Sequence, residues 1–363
     1  MKILHIHPSL VGGGIEAMIC GLANEMAKTE DVTVCSIFQP KENDVFWNKL
    51  NHSVKRVTLG KSNAGFSINE IFKIFSLLIK GKYDVVNLHG FFYYYAFSIL
   101  LLHHRIKFFY TVHSDASMEN FGWEKRFFPL KKKFFKWGWL KPITISNASK
   151  ESFTQLYGID SQLIYNGIPF PETSKQDLVG KYRKTHNTKV FIHAGRISKE
   201  KNQVVLCKVF KSLIDQNEDV VLLIAGCKRN QEIYASLEPY FCERIIYLGE
   251  RSDIPQLMAY SDAMCLPSIW EGLPVTLLES LSVGCIPICS PVGGIPNVIT
   301  DGKNGLLSDS CQERDYYKTV KVFLSLSPND LKNMRQQCVE SFVKYDIKYT
   351  SRNYLNYYKK QLL

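Results

Sequence analysis

Short apolar runs of five to eight residues alternate along nearly the whole chain with longer stretches whose apolar positions recur every three or four residues. In the first half the runs are KILHIH (2–7), VTVCSIF (32–38), DVVNLH (84–89), KFFYTVH (107–113) and PITIS (142–146). Their length and β-branched content predict strands, and the stretches beginning near Ile15, Asn69, Phe91 and Glu124 carry the helical period. The alternation is the pattern of a parallel sheet covered by helices. It pauses at YNGIPFPETSKQD (165–177), where Pro, Gly and polar residues predict a linker. It resumes with KVFIHAG (189–195), DVVLLIAG (219–226), RIIYLGE (244–250), DAMCLP (262–267) and CIPICS (285–290). The prediction is an α/β chain of two doubly wound, Rossmann-like domains facing a central cleft. Residues 1–168 form the first domain, 169–187 the linker and 188–345 the second domain. The stretch 346–363 is a final helix that crosses back to the first. In such sheets ligands gather at the carboxyl ends of the strands.

Composition narrows the classes. A length of 363 residues exceeds what one core serves, in keeping with two domains. With 45% hydrophobic and 22% charged residues, the chain is not globally disordered. Forty-five Lys and Arg against 34 Asp and Glu leave a formal charge of +11, which favours an anionic partner such as a phosphate ligand, a nucleic acid or an anionic lipid. The ten cysteines include no Cys-x-x-Cys pair, and most, like Cys265 and Cys289, sit in apolar runs, so buried thiols in a reducing compartment are expected. Histidines interrupt the N-terminal MKILHIHPSL, which reads as a strand rather than a leader. The longest apolar run, Phe91–Leu102, is twelve residues, short of the roughly 20 that a spanning helix needs. A cytoplasmic protein is the expectation.

Three segments carry candidate chemistry. After the first strand, Gly12, Gly13 and Gly14 let backbone amides approach a ligand closely, and the helix that follows points its positive end there. A plain strand-to-helix turn explains the glycines equally well, and the spacing is not that of a dinucleotide fingerprint. In HAGRISKEKN, Arg196 and Lys201 combine a planar guanidinium and a point ammonium, which suits a diphosphate; a solvated basic loop is the alternative. In PSIWEGLPVTLLESLSVGCIPICS, Glu271 precedes Pro274, read as a first-turn proline, and Leu273, Leu277, Leu278 and Leu281 form the buried face of a helix. Glu279 follows Glu271 by eight residues, about 12 Å along a helical rise. That spacing suits an extended nucleotide-sugar, although a capping Glu and a surface Glu would look the same.

Taken in order, these residues resemble those of the retaining glycosyltransferases of family 4, which have the GT-B fold. The parts are Gly13-Gly14-x-Glu16, the turn Asn166-Gly167, Gly195-Arg196 with Lys201, Glu271-Gly272-x-Pro274 with Glu279, and GGIPNVITDGKNGLL (293–307). The resemblance implies a nucleotide-sugar donor held mainly by the second domain. Arg196 and Lys201 would bind the diphosphate, Glu279 the ribose hydroxyls and Glu271 the sugar, with Gly272 and the amides of Leu273 and Pro274 alongside. Gly13 and Gly14 would close on the donor, and His113 would stand near the reacting sugar. A strand-end histidine satisfied by backbone is the plainer reading of His113. Transfer with retention is implied, Arg196 and Lys201 stabilising the departing diphosphate. UDP is the preferred nucleotide, with GDP open. No Asp-x-Asp pair occurs in the chain, so no metal or other cofactor is expected. An epimerase of the same fold and a non-catalytic nucleotide-sugar-binding subunit are the rival classes.

The segment 124–141, EKRFFPLKKKFFKWGWLK, holds seven basic residues and one acid, interleaved with Phe and Trp. Lys125, Arg126, Lys131, Lys132, Lys133 and Lys136 would meet lipid phosphates while the rings enter the interface. Nucleic acid would favour the same composition, but no nucleic-acid motif accompanies it. Aromatics buried in the core with lysines outside are the structural alternative. The combined expectation is a transferase on the inner face of the cytoplasmic membrane, extending a lipopolysaccharide, capsule or other cell-surface glycan on a glycan or lipid-linked acceptor.

Overall fold

The computed structural model describes residues 1–11, 13–42, 44–63, 65–119 and 122–363; Gly12 lies outside them. The chain divides into two units, Met1–Pro169 with Tyr345–Leu363, and Phe170–Lys344.

The first unit is built on seven strands: β1 Lys2–His7, β2 Asp31–Phe38, β3 Lys55–Lys61, β4 Val85–Leu88, β5 Lys107–Val112, β6 Leu140–Thr144 and β7 Gln162–Leu163. They pair in parallel in the order β3-β2-β1-β4-β5-β6-β7. The central strands are buried on both faces, which is why they read as continuous apolar runs rather than as alternation. On one face, Ile3, Val34, Val85 and Phe109 pack with Met18, Ile19 and Leu22 of the helix Gly14–Met26 and with Tyr354 and Tyr358 of the final helix, Ile347–Leu362. That final helix is pinned by polar contacts as well. Asn87 donates to the Tyr358 hydroxyl at 2.9 Å and accepts from Thr111 at 3.0 Å. The opposite face buries Leu4, Ile6, Tyr94, Tyr95 and Phe108 with Phe134 and Phe135 of the helix Trp123–Lys136.

The second unit holds β8 Lys189–Ala194, β9 Val220–Ala225, β10 Ile245–Gly249, β11 Ala263–Leu266, β12 Ile286–Cys289 and β13 Leu306–Leu307. These are also all parallel, in the order β10-β9-β8-β11-β12-β13. Residues 170–187, expected as a linker, belong to this unit. The Gln256 side chain ties them down, accepting from the Ser174 amide at 2.6 Å and donating to the Ser174 and Gln176 carbonyls, and Val179 is fully buried. A polar, Pro-rich composition therefore concealed an ordered strap. All ten cysteines are free and seven are buried.

Candidate active site

In each sheet the strand order reverses beside the first strand, between β1 and β4 in one unit and β8 and β11 in the other. The carboxyl ends of strands at such a reversal frame a crevice, and both units place their candidate residues there.

In the second unit the loop after β8 carries Arg196 and Lys201, and the loop after β11 carries Glu271. Lys201 Nζ lies 2.5 Å from Glu271 Oε1, and Ser268 Oγ donates to the same oxygen at 2.7 Å. The ammonium and the carboxylate are mostly buried, so this is a charge pair held out of bulk water. The loops that present it are braced. Asn202, in the left-handed region at φ 57°, donates to the carbonyls of Pro267 and Cys311. The Ile269 amide donates to the Glu200 carbonyl, and Ser290 Oγ to that of Ser268. Gly293 has φ 57°, and a Cβ there would fall 1.8 Å from the Glu271 carbonyl oxygen, so the start of the 293–307 segment packs backbone to backbone against the Glu271 loop. Its neighbour Gly294 donates to the Gly272 carbonyl at 2.6 Å.

Beneath this pair, His193 Nδ1 stands 2.9 Å from the Cys265 carbonyl, and its Nε2 is 3.1 Å from Gln203 Nε2. A carbonyl only accepts and an amide nitrogen only donates, so His193 carries its proton on Nδ1. Burial lowers its pKa to about 4. Gln203 also donates to the Arg196 carbonyl at 2.7 Å, fixing the start of the basic loop. Arg196 itself is exposed, its guanidinium 3.9 Å from Glu200. Leu273 and Pro274 are buried, and the helix spans Val275–Ser282 with Pro274 as its N-cap. Pro274 therefore precedes the first turn, and because residues 271–274 are not helical the 12 Å helical spacing to Glu279 does not apply. Glu279 is half-buried on that helix.

In the first unit Gly13 caps the helix that Gly14 opens, and both are exposed. A Cβ on Gly13 would lie 2.5 Å from the Glu16 carboxylate, so the glycine and Glu16 of the motif are adjacent in space. His113, just past β5, is buried. Its amide donates to Glu119 Oε1 at 2.8 Å, and its ring Nε2 lies 2.8 Å from His89 Nδ1. His89 Nε2 in turn lies 3.1 Å from His5 Nδ1. The plain reading of His113 as satisfied by backbone does not describe its ring. Burial lowers the pKa of His5 to about 4 and that of His113 to about 3, and holds His89 well below the ordinary value, so all three rings are neutral at pH 7. Sequence reasoning passed over His5, His89, Ser268 and Gln203.

The basic segment needs one correction. Lys125, Arg126, Lys133 and Lys136 are exposed, with Trp123 and Trp137 beside them, and Lys132 is half-buried. Lys131, however, is fully buried, its Nζ 3.9 Å from the centre of the Tyr110 ring. Burial lowers its pKa, opposed by the Glu124 and Glu119 carboxylates. It cannot touch lipid; the carboxylates of buried Glu124 and half-buried Glu119, the latter holding the His113 amide, favour its charge instead. Among the described residues no helix is long and apolar enough to cross a membrane, and no group of three or more His, Cys, Asp or Glu is arranged to hold a metal.

Two doubly wound parallel units on one chain, each with its polar loops at the strand reversal, define the GT-B architecture. Residues 12–170 match the model for Glycosyltransferase Family 4 and residues 174–341 that for Glycosyl transferases group 1, and the chain belongs to this glycosyltransferase family. A UDP-Gal:alpha-D-GlcNAc-diphosphoundecaprenol alpha-1,3-galactosyltransferase of Escherichia coli is 30% identical over 182 residues, 46% of this chain and 46% of that protein. The chain thus matches less than half the length of that relative. Two solved structures share the fold: a glycosyltransferase from Rickettsia africae (TM-score 0.84, 19% identity, 99% of this chain and 98% of that one) and Anabaena HepE in complex with UDP and glucose (TM-score 0.82, 20% identity, 99% and 100%).

Proposed function

We propose that the protein is a retaining, metal-independent glycosyltransferase moving a sugar from a nucleotide-sugar, a UDP-sugar before a GDP-sugar, to a lipid-linked or cell-surface glycan acceptor. The observation that carries this reading is the Lys201–Glu271–Ser268 cluster at the carboxyl ends of β8 and β11. It offers a cation for a diphosphate and a carboxylate for sugar hydroxyls within one hydrogen-bonded group. The undecaprenol-linked acceptor of the Escherichia coli relative and the UDP and glucose bound to HepE point to the same substrate classes.

In this reading Arg196 and Lys201 take up the negative charge that develops as the bond between the anomeric carbon and the phosphate oxygen breaks. The acceptor hydroxyl oxygen bonds to the same carbon on the same face, and its proton passes to the departing phosphate. Glu271, whose Oε1 already accepts from Lys201 and Ser268, orients the sugar rather than attacking it. Glu279 takes the ribose hydroxyls, with Gly272 and the amides of Leu273 and Pro274 toward the phosphates. Gly13 and Gly14 approach the donor, and His113 meets the sugar. Lys125, Arg126, Lys133 and Lys136, with Trp123 and Trp137, rest on the inner face of the cytoplasmic membrane. The absence of an Asp-x-Asp pair, with two cations available for the diphosphate, supports chemistry without a metal.

The test is a thermal-shift panel of UDP-, GDP-, ADP- and dTDP-sugars with and without EDTA, followed by NMR of the product's anomeric centre. A donor at 100 times its Kd adds about 2.7 kcal/mol of stability. A selective shift that EDTA leaves intact, followed by a retained product, is the expected result. An inverted product, or a shift abolished by EDTA, overturns the corresponding part.

A further inference from the structure

The first unit carries an exposed apolar face made by two neighbouring helices. In the helix Ile68–Gly81, Ile74 and Leu78 turn inward and join the core. Ile68, Phe72, Phe75 and Ile79 follow one another at intervals of four, three and four residues, so they fall within about 60° of one another around the helix. That stripe faces outward: Ile68 is 63% exposed, Phe72 57% and Ile79 51%, with Phe75 half-buried. The next helix, Ala96–Leu102, continues it with Phe97, Leu100 and Leu101, all exposed. Phe97 joins the two, its ring centre 6.2 Å from that of Phe72 and 5.3 Å from that of Phe75. A surface helix normally turns polar residues outward. The helix Gln203–Asp215 of the second unit does so, its exposed residues being Lys208, Lys211 and Asp215. A contiguous apolar patch marks a contact with another molecule or with a membrane.

The surrounding charge selects between these. Both helices lie on the sheet face that also carries the helix Trp123–Lys136, because Ile74, Ile99 and Phe134 share one core. Their edges are linked by rings. His103, just past Leu102, stacks on Trp139 with centres 3.9 Å apart, and Trp139 lies 4.7 Å from the exposed Trp137. Phe66, just before Ile68, stacks on Trp123 at 4.9 Å. The apolar pair is therefore bordered by the exposed Lys125, Arg126, Lys133 and Lys136, and near the carboxyl ends of its own helices by the exposed Lys80, Lys82 and Arg105. Glu70 is buried and faces Lys61 and Lys73, and Asp84 accepts from the Lys2 amide at 2.7 Å. Two copies meeting on this face would bring the cations of both rims together. An anionic leaflet offers acyl chains to the apolar side chains and phosphates to the rim.

We propose that Phe72, Phe97 and Leu100, with their neighbours on these two helices, insert into the acyl layer of an anionic membrane while the adjoining basic rim rests on its phosphates. The inference rests on the membrane contact proposed above and supplies its apolar half, which the composition of 124–141 assigns to that segment's own rings. Phe134 and Phe135 are buried and Phe127 and Phe128 half-buried, so those rings are committed to the core.

The test is sedimentation of the full chain with vesicles of phosphatidylglycerol and phosphatidylethanolamine, at low salt and at about 1 M NaCl, where the Debye length falls to about 3 Å. The wild type is compared with the double variant Phe72→Ser/Leu100→Ser. Both side chains are exposed, so the melting temperatures should match. The expected result is binding that survives in part at high salt, with an affinity at least about tenfold lower in the double variant. In Phe72→Trp, lipids brominated in the acyl chain should quench emission beyond the level seen in the wild type. Unchanged affinity in the folded double variant overturns insertion. Binding that high salt abolishes also overturns it, and leaves the basic contact proposed above standing. No binding by the wild type removes both. A dimer in solution that the double variant dissociates assigns the face to a second copy and overturns the proposal. If the vesicle results hold but no nucleotide-sugar turns over, the inserting face stands and the proposed transfer falls.

Discussion

The two units place polar groups at the same point of the same topology and bury them by opposite means. In the first, three neutral imidazoles hand a hydrogen bond along a line; in the second, a lysine and a glutamate face each other as ions. Neutral rings are cheaper to bury than ions, and their gain is direction: each ring constrains the next. The ion pair gains exchangeability, because an anionic ligand can compete with Glu271 for Lys201. Its cost is that removing either partner strands a charge in a dry site.

The largest effect that would sharpen this contrast lies in the first unit's own buried cation. Lys131→Ala removes a fully buried side chain and the cation that faces Glu119 and Glu124, and should cost about 2–5 kcal/mol of stability. Lys133→Ala, two residues on and exposed, should stay within about 0.5 kcal/mol in the same chemical denaturation experiment. Equal losses would mean that Lys131 is not the counter-ion.

Next comes the second unit's pair. If the proposed donor site holds, Lys201→Ala should lower kcat/KM for sugar transfer about 10²–10³-fold, because the departing diphosphate would lose one of its two proposed cations. A loss below about threefold would remove the pair from the chemistry and leave it a brace for the loops.

Acid separates the units. A ring whose pKa is depressed in the fold stabilises the fold above the ordinary value of 6.5, and that contribution is lost as pH falls, toward about 4 for His5 and about 3 for His113. His7 and His89 are lowered too, whereas the second unit has His193. Glu119 and Glu124, raised by burial, act in the opposite sense, the latter to about 7, so the four rings work against two acids. Trp47, Trp123, Trp137 and Trp139 lie in the first unit and Trp270 in the second. Below pH 6.5, tryptophan emission should therefore change before the far-ultraviolet circular dichroism is fully lost. Coincident transitions would show that the rings do not set the acid limit.

The smallest effect concerns the surface. Lys133→Gln should weaken binding to anionic vesicles about fivefold, from roughly 1 kcal/mol per basic residue, with the melting temperature unchanged. Identical vesicle binding by both proteins would take Lys133 off the docking face.

Much of this was legible in the sequence, for identifiable reasons. The central strands announced themselves because burial on both faces demands continuous apolar runs. β3, KRVTLGK, escaped because an edge strand keeps exposed polar positions, and β7 and β13 are two residues each. Lys201 and Glu271 were both singled out, but 70 residues separate them and only the adjacency of β8 and β11 makes them partners. Lys131 was misplaced because charge was counted over a stretch rather than over a helix face. Phe127, Lys131 and Phe135 recur at four-residue intervals, so one face holds all three. The histidine row had a partial signal: DVVNLH and KFFYTVH both end in His and parallel strands bring their carboxyl ends together, but the third member, His5, lies inside KILHIH rather than at its end.

The first unit closes only with Tyr345–Leu363, which has a consequence for how the protein is made. As the chain leaves the ribosome, residues 1–169 present the sheet face around Asn87, Phe109 and Thr111 without the helix that supplies Tyr354 and Tyr358. At roughly 5–20 residues per second, translating the intervening second unit takes about 9–35 s. Throughout that interval the nascent first unit is an unfinished sheet with an apolar flank, a natural client for a chaperone. The unit that starts first is therefore the one completed last.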